Sequence, residues 1–284
     1  MQTLGVLAVL SSFNHGSGRR KVAQHGVQRT LRLRLRAAVD AKRWADIKHL
    51  STEDPMDLMS KLTQQRLTNA RKPTGRFGRL LIRAMNISHY RLTDWGLSHL
   101  SIGKQDTILD VGCGGGGTVH KLARIATIGK VYGIDFSDES VMVSRMTNKQ
   151  FVQMGRVEIQ QSSVSSLSFF DNMFDLVTAV NTHNFWPELV TDMQKILRVL
   201  KPCGKLIIIG SVYEGGKYDK RNQKYAELIE IAFPSVNELR NLFLRAGYSE
   251  VQMFEKYNRG WMCGIGRKPY SRSGESNSQH GSDS

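Results

Sequence analysis

Hydrophobic positions in the middle of the chain alternate between two patterns. Continuous apolar runs, TILDV (107–111), KVYGID (130–135), RVEIQQ (156–161), FDLVTAVN (174–181) and GKLIIIG (204–210), have the length and β-branched content of buried strands. The segments 138–153 and 188–200 between them have helix length. Such alternation predicts a doubly wound α/β sheet of parallel strands, joined by right-handed helical crossovers with helices on both faces.

Toward the end of the chain the pattern changes. Ser235 and Glu238 have the spacing of a capping box, Leu239, Leu242 and Phe243 follow as an apolar stripe, and Gly247 stands where a helix stops. Two runs come next, SEVQMFE (249–255) and WMCGIGR (261–267), separated by the short YNRG, a spacing that predicts an antiparallel pair. The expected architecture is a mostly parallel sheet with a reversed C-terminal hairpin. Upstream, 71–100 has helical spacing, with Phe77, Leu80, Leu81, Ala84 and Met85 on one face and Arg76, Arg79 and Arg83 on another.

The ends read differently. From Met1 to Val39 there is no acidic residue, and residues 1–55 hold ten Lys/Arg against four Asp/Glu, so they supply +6 of the formal net charge of +15. That composition resembles a transit peptide and equally suits a non-essential extension. It leaves a cytoplasmic or a mitochondrial address open. The resulting division is a basic extension over 1–70, a domain over 71–270 opening with cap helices (71–105), and a tail over 271–284. The tail holds six serines and too few apolar residues to order itself. No run reaches the length of a membrane span. The three cysteines, Cys113, Cys203 and Cys263, match neither a disulfide framework nor a metal site, so free thiols and no metal are expected.

The chemistry concentrates after the first strand. ILDVGCGGGGTV places five glycines within 112–117, which satisfies both GxGxG and the GxGxxG of dinucleotide folds. Glycine spacing alone leaves a nucleotide-dependent oxidoreductase open. Asp110 stands in the strand two residues before the first glycine, where its carboxylate can organise the loop and receive a cationic ligand. Asp135 ends the second strand, where a carboxylate can accept both hydroxyls of a ribose. A ligand belongs beyond the carboxyl ends of such strands, where the strand order reverses.

With ILDVGCGGG, the acid at Asp135, SSVSSLSFFDNMFDLV and LKPCGKL falling in order over about residues 74–269, the chain resembles the class I S-adenosylmethionine-dependent methyltransferases. The resemblance implies their seven-stranded Rossmann-like fold and S-adenosylmethionine as cofactor. It implies cofactor contacts from Asp110, Gly112, Cys113, Gly114, Gly116, Asp135, Phe136, Ser163, Val164 and Asn181. Ser163 replaces a frequent aspartate at the adenine, which weakens one hydrogen bond, and Cys203 replaces a turn glycine, a change expected to matter little. The acceptor pocket is expected from His89, Tyr90, Trp95, Trp186 and Tyr213, with His183 as the candidate base because an imidazole at a strand end titrates near neutrality. The stretch NTHN at 181–184 lacks the (D/N)PPY of adenine amino-methyltransferases, and Cys203 belongs to a turn, so a cytosine C5 nucleophile is missing too. A small organic acceptor is the expectation. The alternatives are an RNA or protein methyltransferase, since basic charge attracts phosphates, and a cofactor-binding interaction module without chemistry.

Overall fold

The computed structural model describes residues 75–270. The readings made for 1–70 and 271–284, and for the side chains of Arg76, Phe77, Leu80, Leu81, Arg83 and Ala84, lie outside the described residues.

Seven strands form one sheet: β1 (Ile108–Val111), β2 (Val131–Asp135), β3 (Val157–Gln161), β4 (Phe174–Val180), β5 (Leu200–Gly210), β6 (Ser249–Lys256) and β7 (Trp261–Arg267). Their order is β3-β2-β1-β4-β5-β7-β6. The first five are parallel, and β7 runs antiparallel to β5 and β6. The chain works outward from β1 to β3 and returns to β4 on β1's other side, so the switch point lies between β1 and β4. All five parallel strands end at one edge there, and the β1–β4 register sets Asp110 opposite Thr178.

Seven helices accompany the sheet among the described residues: α1 (Gly75–Leu97), α2 (Gly117–Ile125), α3 (Asp138–Thr147), α4 (Lys149–Gln153), α5 (Leu189–Val199), α6 (Asp219–Ile229) and α7 (Val236–Arg245). One buried cluster joins Leu92 of α1, Val119 and Leu122 of α2 and Val141 of α3 to Ile108, Val131, Ile207 and Ile209 of the sheet. The cluster on the other face joins Met193 and Ile196 of α5 and Leu239 and Phe243 of α7 to Leu109, Val111, Ile134, Leu206 and Ile208. Strands sandwiched in this way need apolar side chains in both directions, which is why they read as continuous runs. Each fully buried Leu or Ile contributes about 1.5–3 kcal/mol.

Several expectations are met in detail. Ser235 Oγ accepts from the Glu238 N–H and the Glu238 carboxylate accepts from the Ser235 N–H, completing the capping box of α7. Gly247, at φ +94°, lets the chain turn off that helix. Three features differ from the sequence reading. The helix expected over 138–153 is two, broken at Asn148, whose Nδ2 donates to the carbonyls of Gly116 and Ser144 at 3.0 Å each. Strand β5 begins at Leu200 and takes in the whole LKPCG stretch, with Lys201 Nζ 2.9 and 2.7 Å from the Asp175 carboxylate oxygens. Helix α6 has a mostly polar sequence without a clear stripe, and Asn222 anchors it by donating to the Ser211 carbonyl at 3.1 Å.

Candidate active site

Beyond β1 the chain must turn sharply to enter α2, and Gly112, Gly114 and Gly116 take φ of +70°, +51° and +78° to do so. Of the two glycine spacings, GxGxG is therefore the one that the backbone conformation uses. A Cβ on Gly112 would collide with the Thr182 side chain, whereas a Cβ on Gly114 would meet nothing within 4 Å. The turn is thus walled on one side and open on the other. Gly115 and Gly117 serve packing instead: Asn86 of α1 lies against both and donates to the Gly115 carbonyl at 2.8 Å.

Two carboxylates face this turn. Asp135, at the end of β2, accepts from the Gly114 N–H through Oδ2 and from the Ser137 N–H through Oδ1, each at 2.9 Å. Burial raises its pKa, while the bonds from Ser137 and Gly114 pull it back. Asp110 is more enclosed and accepts from Thr178 Oγ1 at 2.6 Å. Burial pushes it up to about 7; the Thr178 hydroxyl opposes that rise and the charge of Asp135 adds to it. A buried acid poised this high favours a cation beside it, because a positive charge would hold it ionised. Between the carboxylates, Cys113 is buried with Sγ 3.7 Å from Ser144 Oγ. Burial, followed by the two acids, drives its thiol well above the ordinary range, the opposite of what a nucleophile needs.

The remaining predicted cofactor residues stand along the same edge. Phe136, 46% exposed, follows Asp135. Ser163 caps the 3-10 turn Val164–Ser166 by accepting from the Ser165 N–H at 3.2 Å, and Val164 is buried in that turn. Asn181, at φ +52°, turns its side chain toward β5, where Oδ1 accepts from Ser211 N at 2.8 Å and Ser211 Oγ at 3.3 Å. Its carboxamide is thereby engaged in joining the loops after β4 and β5.

The predicted acceptor residues scatter more widely. His183 lies in the 3-10 turn after β4, fully buried, with neither ring nitrogen hydrogen-bonded. Burial without a charged partner pulls its pKa down to about 4, not near neutrality as the sequence reading had it. Trp186 and Tyr213 sit in the core cluster of the α5/α7 face; Trp186 Nε1 has no hydrogen bond, and the Tyr213 hydroxyl donates to Glu255 at 2.8 Å. Trp95 belongs to the opposite face, against Trp261 at a ring separation of 5.8 Å. His89, also pulled down to about 4 by burial, is half-buried on α1, and Tyr90 is exposed with Lys121 Nζ 3.1 Å from its ring centre. His183 and Trp186 are together on one turn and Tyr213 shares the core cluster of Trp186, while Trp95 packs on the opposite face and Tyr90 lies against Lys121 of α2. Thr178, Thr182, Asn86, Ser144 and Asn148, which shape the turn and its acids, escaped the sequence reading. Only Asn148 left a trace there, as a poor helix former inside an expected helix.

Parallel strands with a reversed final pair, a glycine turn at the switch point and an acid one strand away define the class I methyltransferase fold. Comparison with known proteins agrees. The family described as "Methyltransferase domain" matches residues 109–208. A demethylmenaquinone methyltransferase of Oceanobacillus iheyensis is 28% identical over 193 residues, 59% of this chain and 81% of that one. The O-methyltransferase cnsE of Penicillium expansum is 31% identical over 155 residues, 54% of this chain and 56% of that one. Among solved structures, a SAM-dependent methyltransferase from Aquifex aeolicus superposes with a TM-score of 0.55 at 21% identity, covering 67% of this chain and 98% of the other. Residues 109–208 thus form a methyltransferase domain, and the described chain has the class I fold seen in S-adenosylmethionine-dependent methyltransferases.

The residues present fit that cofactor. The space before Gly114 is open to it, Asp135 stands at the rim with backbone donors fixing its orientation, and Asp110 lies beneath with a pKa that a cation would lower. When bound, S-adenosylmethionine supplies a methyl group activated by a sulfonium.

Proposed function

We propose that the protein methylates a small organic acceptor bound over the ends of β4 and β5. Asp135 would hold the ribose and Phe136, Ser163 and Val164 would border the adenine. Asp110, the backbone of 112–116 and Asn181 would receive the methionine end. In-line displacement draws its rate from alignment in a water-poor site, so the protein's main task is positioning. The observation that carries the acceptor class is the turn 183–186. His183 and Trp186 bring three buried ring nitrogens without partners to the end of β4, next to Asn181. Buried polar atoms without partners are costly, and an acceptor hydroxyl or carbonyl would satisfy them. Relatives named for demethylmenaquinone and for O-methylation support a small acceptor.

His183 is a neutral imidazole at this pKa, hence a hydrogen-bond partner for the acceptor and a weak base. The test is labelled methyl transfer by the full chain to quinols, phenols, RNA and protein. Label should enter the solvent-extractable small molecules; label in RNA or protein would refute the assignment. His183→Asn should lower kcat/KM by about tenfold. The wild-type rate should show no limb from His183 between about pH 6 and 8, since its imidazole stays neutral above about 4.

A further inference from the structure

The loop after β5 and the tip of the final hairpin meet at the same edge of the sheet as the candidate site. Gly210, ending β5, pairs with Met262, and Lys256 pairs with Trp261, so the turn 257–260 projects past that edge. Tyr218, just before α6, lies against the hairpin turn. A Cβ on Gly260 would come within 2.7 Å of its ring, so the contact needs a residue without a side chain. Lys217 Nζ donates to the Asn258 carbonyl at 3.0 Å. Arg221 stacks its guanidinium 4.3 Å from the Tyr218 ring centre, while Lys256 and Arg259 lie 5.7 and 5.9 Å from that of Trp261.

Four cations are thereby gathered on one rim from segments about 40 residues apart, and none makes an ion pair with the described residues. Nearby acids are Glu214, Asp219 and Glu255. Asp219 accepts from the Gly215 N–H at 2.7 Å and Glu255 from the Tyr213 hydroxyl. Tyr257, 60% exposed, stands at the tip among these cations. Exposed tyrosine among lysine and arginine is the composition of a surface that lies in a bilayer interface. Lys217, Lys256 and Arg259 are exposed, which suits an extended anionic surface better than one group of a small ligand. The rings of Tyr218 and Trp261 already carry cations, so they are poor platforms for stacked bases. Among the described residues no helix is long and apolar enough to cross a membrane, so the attachment would be peripheral.

We infer that this rim docks the protein on anionic lipid, with the edge that carries the candidate site turned toward the bilayer. Vesicle binding tests this separately from methyl transfer, so it stands or falls whatever the acceptor. The full chain should sediment with phosphatidylcholine–phosphatidylglycerol vesicles, not with phosphatidylcholine alone, and added salt should release it. K256E/R259E should lose about tenfold in binding. K104E/R124E, which makes the same change in net charge at the opposite edge, should stay within about twofold of wild type. Retained S-adenosylhomocysteine binding shows that the rim variant is folded; if it is lost, K256Q/R259Q takes its place and should show a smaller loss in the same direction. Equal losses at both edges, no vesicle binding by the wild type, or capture of a homopolymeric RNA in preference to vesicles would each overturn the inference.

Discussion

Cys203 shows how one residue's identity carries backbone information. Cys203 takes φ +67° at the register break within β5, a region that suits glycine and costs a side-chain-bearing residue about 1 kcal/mol or more. The substitution was expected to matter little; the backbone angle gives it a cost. Cys203→Gly should therefore raise stability by about 0.5–1 kcal/mol in denaturant unfolding, with cofactor affinity unchanged. A loss of stability would show that the contact of the thiol with Arg267 outweighs the backbone cost. The turn glycines and the place of Asp135 beside them were legible because both follow from position along one strand–helix–strand unit. The low pKa of His183 was not, because burial by residues distant in sequence sets it. Thr178 was hidden for a related reason: it reaches Asp110 through the β1–β4 register, which pairs residues 68 apart.

Among elements, α1 is tied to the glycine turn. Asn86 donates to the Gly115 carbonyl and lies against Gly117, Arg79 pairs with Glu139 of α3 at 3.0 Å, and Lys121 of α2 pairs with Asp94. The two ion pairs are partly exposed and contribute little, which leaves Asn86 as the main polar link to the turn. Asn86→Ala should cost about 1 kcal/mol of stability and weaken S-adenosylhomocysteine binding several-fold. If thermal unfolding and calorimetry both match wild type, α1 is not seated on the turn. Helix α1 itself was readable from its spacing; its seat was not, since nothing at Asn86 marks a partner 29 residues away. Helix α6 was missed because its residues are polar and its anchor is one asparagine.

For the whole molecule, the strand runs were enough to call a doubly wound sheet because burial on both faces leaves continuous apolar stretches. The reversed hairpin followed from two such runs with only YNRG between them. The proposed acceptor region was less legible. It is assembled from turns after β4 and β5, joined by Asn181 to Ser211 and by Asn184 Nδ2 to the Val212 and Ala232 carbonyls at 3.2 and 2.7 Å. No periodicity encodes such links, which explains why residues expected in one pocket lie on opposite faces of the sheet.

All of this depends on the glycine turn and Asp135 gripping an adenosyl cofactor, and calorimetric titration measures that directly. The full chain should bind S-adenosylhomocysteine and not NAD, and Asp135→Ala should weaken binding by about 2–3 kcal/mol, about 30- to 150-fold, as two charge-assisted bonds are lost. Unchanged affinity in the variant, or NAD bound in place of S-adenosylhomocysteine, would contradict the account.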